Sequence, residues 1–591
     1  MNYRNDIQIL RGVAVAFVVL FHLEIAGLSS GFLGVDVFFV ISGFLMAILY
    51  KHGEIKKFFQ RRANRLLPSY FVTVIFTFLF SLFLVLPSEL NQVSKQAIFS
   101  IFFANNIGFW MQNSYFSKTE FNPLLHLWSL GVEIQFYLFV PLLVWLFRKS
   151  KFFLPLILGG SFLSCLFMLG ISPKTSFYMM PLRVWEFLIG FGVAYYLTNN
   201  GNLKFENKRI LGLVSLIALL LIPFIPVDGQ SFSRIFGHPG LFALLVCLLT
   251  ASVLSFGLPK KIEDSLVGKL LVKIGEYSYS IYLVHFPIIV LYLYQPFSGT
   301  ILHTDSLIDK TKILLFIVIT AILIHKYVEI RKFKTISKIY VGSFISIICL
   351  LGISKILPNY QYSYEEKNIF NAVNDRSEYR CGRYTNITNR SLISCKLNTE
   401  NFDKSVFLVG NSHADAIKKE FTKTASRNGF NTYFLVSNTP LMDSSVTPKM
   451  LINEANKYKI KHLIIHYAYK TIDTKKIIEM GDLAKRNGIK ISYILPIPVF
   501  EETVPKIVWN NRAKYIDIKT SYVEKNKEFI NELKSYTLKN SDFKLYEVAD
   551  MMCPKNCLLA DKEMHPYYFD TNHLTLTGST LLLPVFEEIF K

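Results

Sequence analysis

The sequence predicts a multi-pass α-helical membrane bundle of about eleven spans, followed by an α/β/α domain built on a parallel sheet. Hydrophobic residues make up 51% of the 591 residues, and apolar runs of nearly bilayer-spanning length recur as far as Leu357. After Leu357 these runs stop, and short apolar strands later alternate with helical stretches. We therefore divide the chain into a membrane domain at 1–338, a final transmembrane helix at 339–357, an extracytoplasmic linker at 358–404 and a second domain at 405–591.

Each predicted span is an apolar run that can cross the hydrocarbon core of a bilayer. Residues 96–110 are also apolar, but Asn105 and Asn106 interrupt them, so we expect an outer-surface or re-entrant segment there. The first span lacks a small-residue cleavage site, and we expect a retained helix. The predicted spans are approximately 8–28, 31–50, 68–87, 126–147, 152–170, 181–197, 210–226, 239–258, 275–296, 310–328 and 339–357.

The net charge of +21 is concentrated in short loops on one side of the predicted bundle. The opposite loops carry few Lys or Arg residues. By the positive-inside rule the N-terminus is cytoplasmic, and an odd number of spans puts the second domain outside. This placement indicates membrane lipids, not nucleic acid, as the partner of the charge. The basic loops lie at 51–65, 148–151, 204–209, 260–273 and 326–338.

The seven cysteines divide between the two parts of the chain. Three lie in the membrane part, where a lone thiol is usually a small apolar residue. The other four lie in the outer part, in a compartment that permits disulfides, and their short separations favour the pairs Cys381–Cys395 and Cys553–Cys557. A C-x3-C metal site at the last pair is the weaker alternative, because no second pair or nearby His pair completes four ligands. We therefore expect no metal.

Five apolar strands are predicted in the second domain. Their alternation with helices predicts a parallel sheet whose ligand chemistry lies at the carboxyl ends of the strands. The first strand runs into Gly410-Asn411-Ser412-His413 and then a helix, so Ser412 lies on a tight turn at a helix N-terminus, where amides can stabilise an oxyanion. The strands are 405–409, 431–437, 462–467, 489–495 and 543–547.

A catalytic triad is predicted at this sheet edge. Asp570 precedes His573 by three residues near the end of the chain, and it could orient the imidazole that takes the proton of Ser412. Taken alone, a Ser at a helix start is usually an N-cap, and a D-x-x-H is usually a surface accident. Because both fall where a doubly wound sheet places its site, they predict Ser412, Asp570 and His573 as one acyl-transfer site.

These residues resemble the SGNH hydrolase and esterase superfamily, whose first block is usually G-D-S; here Asn411 stands in place of the Asp. The resemblance covers about residues 405–590. It implies that the amide of Ser412, a Gly and an Asn form the oxyanion hole, and Gly429 is the match for the Gly. The expected strand carries Leu463-Ile464-Ile465-His466-Tyr467 and no G-x-N-D block, so one oxyanion donor is unassigned.

Polar residues recur inside the predicted spans, where they are costly and usually mark a functional interior. Arg11 and His22 are separated by almost three helical turns and so project from one face of the first span. The alternatives are a snorkelling Arg, helix–helix hydrogen bonds and, for Arg183 and Glu186, a pair that neutralises itself. A hydrophilic cavity is predicted from Asp36, Ser129, Glu133, Ser278, Tyr282 and His285, with His126 two turns from Glu133 on the same face.

Residues 5–335 resemble the acyltransferase-3 family of membrane acyltransferases. One departure is Ile330, where the family often has Pro after its Glu, here Glu329. With the outer domain, the chain looks like the fused enzymes that O-acetylate bacterial surface polysaccharides and peptidoglycan. The matching motifs are Arg11-x10-His22, residues 34–44 around Asp36, the basic loop with Arg61, Arg62 and Arg65, Trp128-Ser129-Leu130-x-x-Glu133, and Ser278-x-x-x-Tyr282-x-x-His285.

The resemblance implies a transmembrane O-acetyltransferase of a bacterial inner membrane, with a periplasmic outer domain. Acetyl-CoA would be the acyl donor, bound through Arg11 and the basic loop with Arg61, Arg62 and Arg65, while His22 would act as base or acyl relay. The acceptor would be a cell-surface glycan, first lipopolysaccharide O-antigen or core sugar and second peptidoglycan. The alternatives are a membrane-anchored carbohydrate esterase and a non-enzymatic glycan transporter. The oligomeric state is open, with a homo-oligomer among the possibilities.

Overall fold

The structure is a computed structural model that divides into two compact units, Met1–Leu357 and Pro358–Lys591. We call them the membrane unit and the α/β unit. Residues 204–207, Lys332 and Lys334 of the predicted basic loops, and residues 436–437 of a predicted strand, lie outside the residues that the structure describes. The described residues are 4–25, 27–112, 120–199, 208–331, 333, 335–378, 380–381, 393–435, 441, 446–468 and 473–591.

The membrane unit consists of helices, and many of its large apolar side chains are exposed, as lipid-facing residues would be. The helices are α1 Asn5–His22, α2 Gly34–Leu49, α3 Ile55–Leu84, α4 Pro87–Ile101, α5 Asn105–Trp110, α6 Leu127–Lys149, α7 Phe153–Leu169, α8 Pro173–Tyr178, α9 Val184–Asn199, α10 Arg209–Leu221, α11 Leu241–Phe256, α12 Lys260–Glu263, α13 Leu266–Tyr292, α14 Leu307–Ile324 and α15 Ile336–Gln361.

Six helical segments among the described residues are long and apolar enough to cross a membrane, by length and composition: α1, residues 31–49 around α2, α3, α6, α13 and α15. The apolar helices α7, α9, α10 and α11 are shorter. Each predicted span overlaps a helix, but the count of eleven stays a prediction. The predicted outer or re-entrant run at 96–110 forms the end of α4 and all of α5, and the chain turns between them at Phe103, whose φ is 53°.

Glycines allow two pairs of helices to cross at backbone contact. On α1 and α13, a Cβ added at Gly12 would lie 2.3 Å from the Leu271 oxygen, and one at Gly275 would lie 2.0 Å from the Gln8 oxygen. A Cβ at Gly43 of α2 would similarly lie 1.8 Å from the Phe187 oxygen of α9. Such close crossings are typical of helix packing in membranes, where small residues let backbones approach. They fix the helices that carry the polar side chains described below.

The α/β unit contains a mixed six-stranded sheet in the order β1-β3-β2-β4-β5-β7. All neighbouring strands are parallel except β1, which is antiparallel to β3. The unit contains α16 Tyr364–Asn371, β1 Ser394–Lys396, β2 Lys404–Gly410, α17 Ser412–Arg427, β3 Phe430–Leu435, α18 Pro448–Lys457, β4 His462–His466, α19 Thr474–Arg486, β5 Lys490–Ile494, α20 Val504–Asn511, β6 Tyr515–Ile516, α21 Lys519–Thr537, β7 Phe543–Tyr546, α22 Ala549–Met552, β8 Cys557–Leu558, α23 Leu576–Ser579 and α24 Leu583–Ile589.

The prediction of a purely parallel sheet is therefore wrong at one edge. Strand β1 lies within the predicted linker 358–404, which also contains α16 and belongs to the same compact unit. A three-residue strand in a polar segment gives no period-2 signal, so its pairing cannot be inferred locally. The structure contains both locally paired disulfides, Cys381–Cys395 and Cys553–Cys557, and the first of them ties β1 to the end of the preceding segment.

Candidate active sites

The turn between β2 and α17 exposes Ser412 at the carboxyl edge of the sheet. A Cβ added at Gly410 would lie 1.9 Å from the backbone oxygen of His466, so only glycine lets β2 end this close to β4. Asn411 is the N-cap of α17, and its side chain accepts a hydrogen bond from the His413 amide at 3.1 Å. Ser412 is thus the first helical residue and not the cap, which removes the competing interpretation of this serine.

The loop that carries Asp570 and His573 is held by its own carboxylate and by two neighbouring backbone contacts. One oxygen of Asp570 accepts hydrogen bonds from the amides of Asn572 at 2.9 Å and His573 at 2.7 Å. The Phe500 amide donates to the Thr571 oxygen at 2.9 Å and the Val504 amide to the Asp570 backbone oxygen at 3.1 Å, which ties the loop to the segment after β5. The sequence D-x-x-H therefore folds into a tight turn that brings the imidazole back over its own acid.

Ser412, His573 and Asp570 form a continuous chain of hydrogen bonds. His573 Nδ1 lies 2.6 Å from Asp570 Oδ2, and His573 Nε2 lies 2.6 Å from Ser412 Oγ. Because a carboxylate only accepts, Nδ1 carries the proton and Nε2 is the basic nitrogen that faces the serine. Burial raises the pKa of Asp570, but hydrogen bonds from His573 and the two amides outweigh it and hold that pKa below its ordinary value. The arrangement can activate a serine for acyl transfer.

Two buried histidines lie beneath this chain. The His413 ring centroid is 5.1 Å from that of His573 and 5.9 Å from that of His466. Burial, together with these two rings, lowers the pKa of His413 well below its ordinary value, and burial lowers the pKa of His466 to about 4. Both rings are therefore neutral at physiological pH and place no positive charge against the catalytic pair.

The predicted oxyanion role of Gly429 is wrong. Gly429 follows the C-terminal end of α17, where its φ of 76° ends the helix, whereas Ser412 begins that helix. A helix of this length separates the two residues by about 24 Å at 1.5 Å per residue. The Ser412 amide, at the helix N-terminus, keeps its predicted place. The loops that follow β3 and β4 at this edge, 436–440 and 469–472, lie outside the described residues.

A cavity with about 710 Å³ of empty space, including its open mouth, lies inside the membrane unit and is lined by both apolar and polar side chains. It brings together seven of the predicted residues: Arg11, Arg62, Arg65, Ser129, Glu133, Ser278 and Tyr282. Glu133 accepts hydrogen bonds from the hydroxyls of Ser42 and Tyr137, which also line the cavity. Three guanidinium groups around one carboxylate leave a net positive site that can bind an anion.

His22 and His285 form a separate pair beside this cavity. His285 Nδ1 lies 2.7 Å from the backbone oxygen of Tyr282, a cavity residue, and His285 Nε2 lies 3.2 Å from His22 Nδ1. A carbonyl can only accept, so neutral His285 is protonated on Nδ1 and accepts from His22 through Nε2. The basic nitrogen of His22 is then Nε2. The His126 ring lies 5.5 Å from His285, which adds a third buried histidine.

Asp36 lies neither in the lining of the cavity nor in the His22–His285 pair. Its carboxylate accepts a hydrogen bond at 3.0 Å from Arg183, which also donates to Glu186 at 3.1 Å and lies 3.1 Å from His238 Nε2. The Arg183, Asp36 and Glu186 side chains are fully buried. Asp36 is therefore misplaced as a cavity residue, and Arg183 does not simply neutralise Glu186. Arg61 is exposed and contacts Glu54 at 3.8 Å, so it lies outside the cavity too.

Three residues of these clusters, Ser42, Tyr137 and His238, were not among the predicted site residues. Tyr137 follows Glu133 by one helical turn, a spacing that could have revealed it. Ser42 lies within a motif that was noted, but it was not singled out. His238 precedes a proline in a loop, where no periodicity identifies a partner. Over the described ranges, no group of three or more His, Cys, Asp or Glu side chains is arranged to hold a metal ion.

The structure thus joins a multi-pass helical membrane unit to an α/β unit that carries a Ser–His–Asp arrangement. Residues 4–325 match the acyltransferase domain of the acyltransferase-3 family, and residues 380–588 match the SGNH domain that is fused to such domains. The chain therefore belongs to the acyltransferase-3 family, in its SGNH-fused form. Both family resemblances of the sequence are confirmed.

Among curated relatives, the chain is 31% identical over 313 residues to the peptidoglycan O-acetyltransferase OatA of Listeria monocytogenes, an alignment that covers 49% of this chain and 50% of that protein. It is 30% identical over 312 residues to the O-acetyltransferase OatA of Staphylococcus aureus, covering 49% and 51%. The chain thus spans about half the length of the curated relatives it matches. No solved structure matches it.

Proposed function

We propose that the protein moves an acetyl group from acetyl-CoA in the cytoplasm to a hydroxyl group of an extracytoplasmic glycan, through two sites in series. The observation that carries the proposal is the hydrogen-bond chain Ser412–His573–Asp570, at the carboxyl edge of the sheet. That chain is the geometry of a serine nucleophile with its base and orienting acid. In this proposal the N-terminus is cytoplasmic and the α/β unit is periplasmic.

In the outer step, Ser412 Oγ attacks the carbonyl carbon of the arriving acetyl group and its proton passes to His573 Nε2. The carrier leaves with that proton, and an acetyl ester remains on Ser412. A sugar hydroxyl then loses its proton to His573 and attacks the ester, which returns the proton to Ser412 Oγ. Asp570 stabilises the imidazolium that forms twice in this cycle, and the Ser412 amide stabilises the oxyanion.

In the membrane step, the cavity binds the donor and His22 acts on it. Arg11, Arg62 and Arg65 supply cations for the phosphates of acetyl-CoA, and guanidinium groups suit such anions because they can bond them in a bidentate way. Arg61 would join only as an exposed residue at the mouth. Nε2 of His22 is the basic nitrogen and can accept a proton or relay the acyl group. Asp36 is reassigned to a structural ion cluster with Arg183.

For the acceptor we propose a cell-surface glycan. Sequence analysis put lipopolysaccharide first and peptidoglycan second. The name of the Listeria relative specifies peptidoglycan, which favours the second acceptor, although that alignment covers only half of the chain. Two other functions compete. An anchored esterase would need one helix, not a bundle with a polar cavity, and a transporter would not need Ser412 within hydrogen-bonding distance of His573.

The test is mass spectrometry of surface glycans from cells that carry only a variant of this protein. Ser412→Ala and His22→Ala should each lower O-acetylation by about 10³-fold or more, because each removes a chemical step. Ser535→Ala, an exposed hydroxyl that bonds only within its own helix, should leave acetylation unchanged. Normal acetylation in Ser412→Ala cells would refute the two-site proposal and leave Ser412 with a structural role only.

A further inference from the structure

Residues 375–378 cross the edge of the Ser412–His573–Asp570 site, which we call the outer site. The Leu576 amide donates to the Asp375 backbone oxygen at 2.8 Å, and the Thr577 amide donates to its carboxylate at 3.1 Å, so one end is fixed to α23, just after His573. At the other end, Ser377 donates to the backbone oxygen of Asp415 on α17 at 2.7 Å. Residue 376 is therefore held between the two elements that carry Ser412 and His573.

Arg376 is the side chain that this segment presents beside the catalytic histidine. Its guanidinium carbon lies 5.7 Å from the centroid of the Phe569 ring. Phe569 in turn stacks on the His573 imidazole, with centroids 5.5 Å apart and ring planes at 8°. The two distances together place the guanidinium no more than about 11 Å from the His573 ring. This distance is comparable with the length of a disaccharide.

Within the described part of the chain, the positive charge of Arg376 is not balanced by an ion pair. The residue is exposed, and no described acidic side chain forms an ion pair with it. The adjacent Asp375 carboxylate is engaged by the Thr577 amide. A cation–π contact occupies the face of the guanidinium and none of its five N–H donors, which remain available for a planar anion.

We propose that Arg376 binds an anionic group, a carboxylate or a phosphate, on the acceptor glycan, so that the acceptor is an acidic glycan. This inference rests on the proposed function, because it takes Ser412 as the group that delivers the acetyl. Guanidinium groups bind carboxylate and phosphate oxygens in a bidentate way, which would fix the sugar as well as attract it. Arg376 is thus a binding residue that selects the acceptor and takes no part in proton transfer.

The experiment uses the full-length protein in detergent micelles, with hydrolysis of para-nitrophenyl acetate as the readout. Trigalacturonate and its methyl ester serve as matched charged and neutral competitors, and glucose phosphate against glucose tells phosphate from carboxylate. The wild type should be inhibited more strongly by an anion than by its neutral match. The ratio of the neutral to the charged inhibition constant should be larger for the group, carboxylate or phosphate, that Arg376 binds. Arg376→Gln should raise the inhibition constant of that anion about fivefold while that of its neutral match stays the same, and Arg376→Lys should fall between.

The matched control is Lys404→Gln, which removes one positive charge with the same 5.7 Å distance to a phenylalanine ring, here Phe430, but at the opposite end of β2. It should leave every inhibition constant unchanged. Equal inhibition by charged and neutral competitors, or unchanged inhibition in Arg376→Gln, would overturn the role of Arg376. The proposed function fails separately, by undiminished ester hydrolysis in Ser412→Ala.

Discussion

His573 in the α/β unit and His22 in the membrane unit are held in place by different groups. His573 donates to the carboxylate of Asp570 at 2.6 Å, whereas His22 donates to neutral His285, which is itself fixed by a backbone carbonyl. A carboxylate stabilises the imidazolium that forms when the ring takes a proton; a neutral imidazole does not. The contact with Asp570 can therefore stabilise a protonated His573, whereas the contact with neutral His285 gives a protonated His22 no such stabilisation.

The largest expected effect tests this difference at the outer site. Asp570→Asn should lower ester hydrolysis by the full-length protein about 10³- to 10⁴-fold, because an amide favours the wrong tautomer and cannot balance the imidazolium. The control is Asp561→Asn, since Asp561 contacts His565 Nδ1 at 2.9 Å in a similar turn away from Ser412. A wild-type rate in Asp570→Asn would mean that the triad is not the reacting group.

The same difference predicts a milder response in the membrane unit. His285→Gln should lower glycan acetylation less than about tenfold, because a glutamine oxygen can replace Nε2 as the acceptor for His22. His285→Leu, which removes the acceptor, should lower glycan acetylation about a hundredfold. Glycan mass spectrometry measures both, and equal losses in the two variants would contradict the proposed hydrogen-bond role of His285.

The smallest effect concerns pH and the buried histidines of the α/β unit. His466 has an ordinary pKa of about 6.5 when unfolded, and burial lowers it to about 4. Between these values the unfolded chain binds a proton that the folded chain does not, so stability falls as the pH falls. At pH 5 the lowered pKa of His466 should reduce the free energy of unfolding by about 2 kcal/mol relative to neutral pH. Pulse proteolysis of the full-length protein in urea should show this loss, and His466→Phe should have a shallower pH slope; identical slopes would be the contrary result.

The geometry of the Ser412 site could be predicted where one short segment carries the information. The G-N-S-H turn and the D-x-x-H loop each specify their own geometry, and the sheet edge brings them within 2.6 Å. Prediction failed where a contact depends on distant segments. Gly429 was matched by position in a motif, but the helix that it ends places it far from Ser412. Asp36 was predicted as a cavity residue because it is a polar residue inside a predicted span, but α2 and α9 approach closely and Arg183 bonds it instead.

The edge strand β1 shows the same limit. Its pairing with β3 joins a polar segment to a buried strand across a long separation, and no local pattern encodes that choice. Arg376 belongs to the same predicted linker, 358–404, so a region without a sequence signal contributes the residue from which we infer the acceptor's charge.

The central claim is that the acetyl group on Ser412 arrives through a step that needs His22. The direct measurement is mass spectrometry of the Ser412 peptide from full-length protein that is isolated from cells and quenched in acid. Wild-type protein should carry an acetyl ester on Ser412, and His22→Ala protein should lack it while still hydrolysing para-nitrophenyl acetate at the wild-type rate. Acetylated Ser412 at the wild-type level in His22→Ala protein would contradict the account.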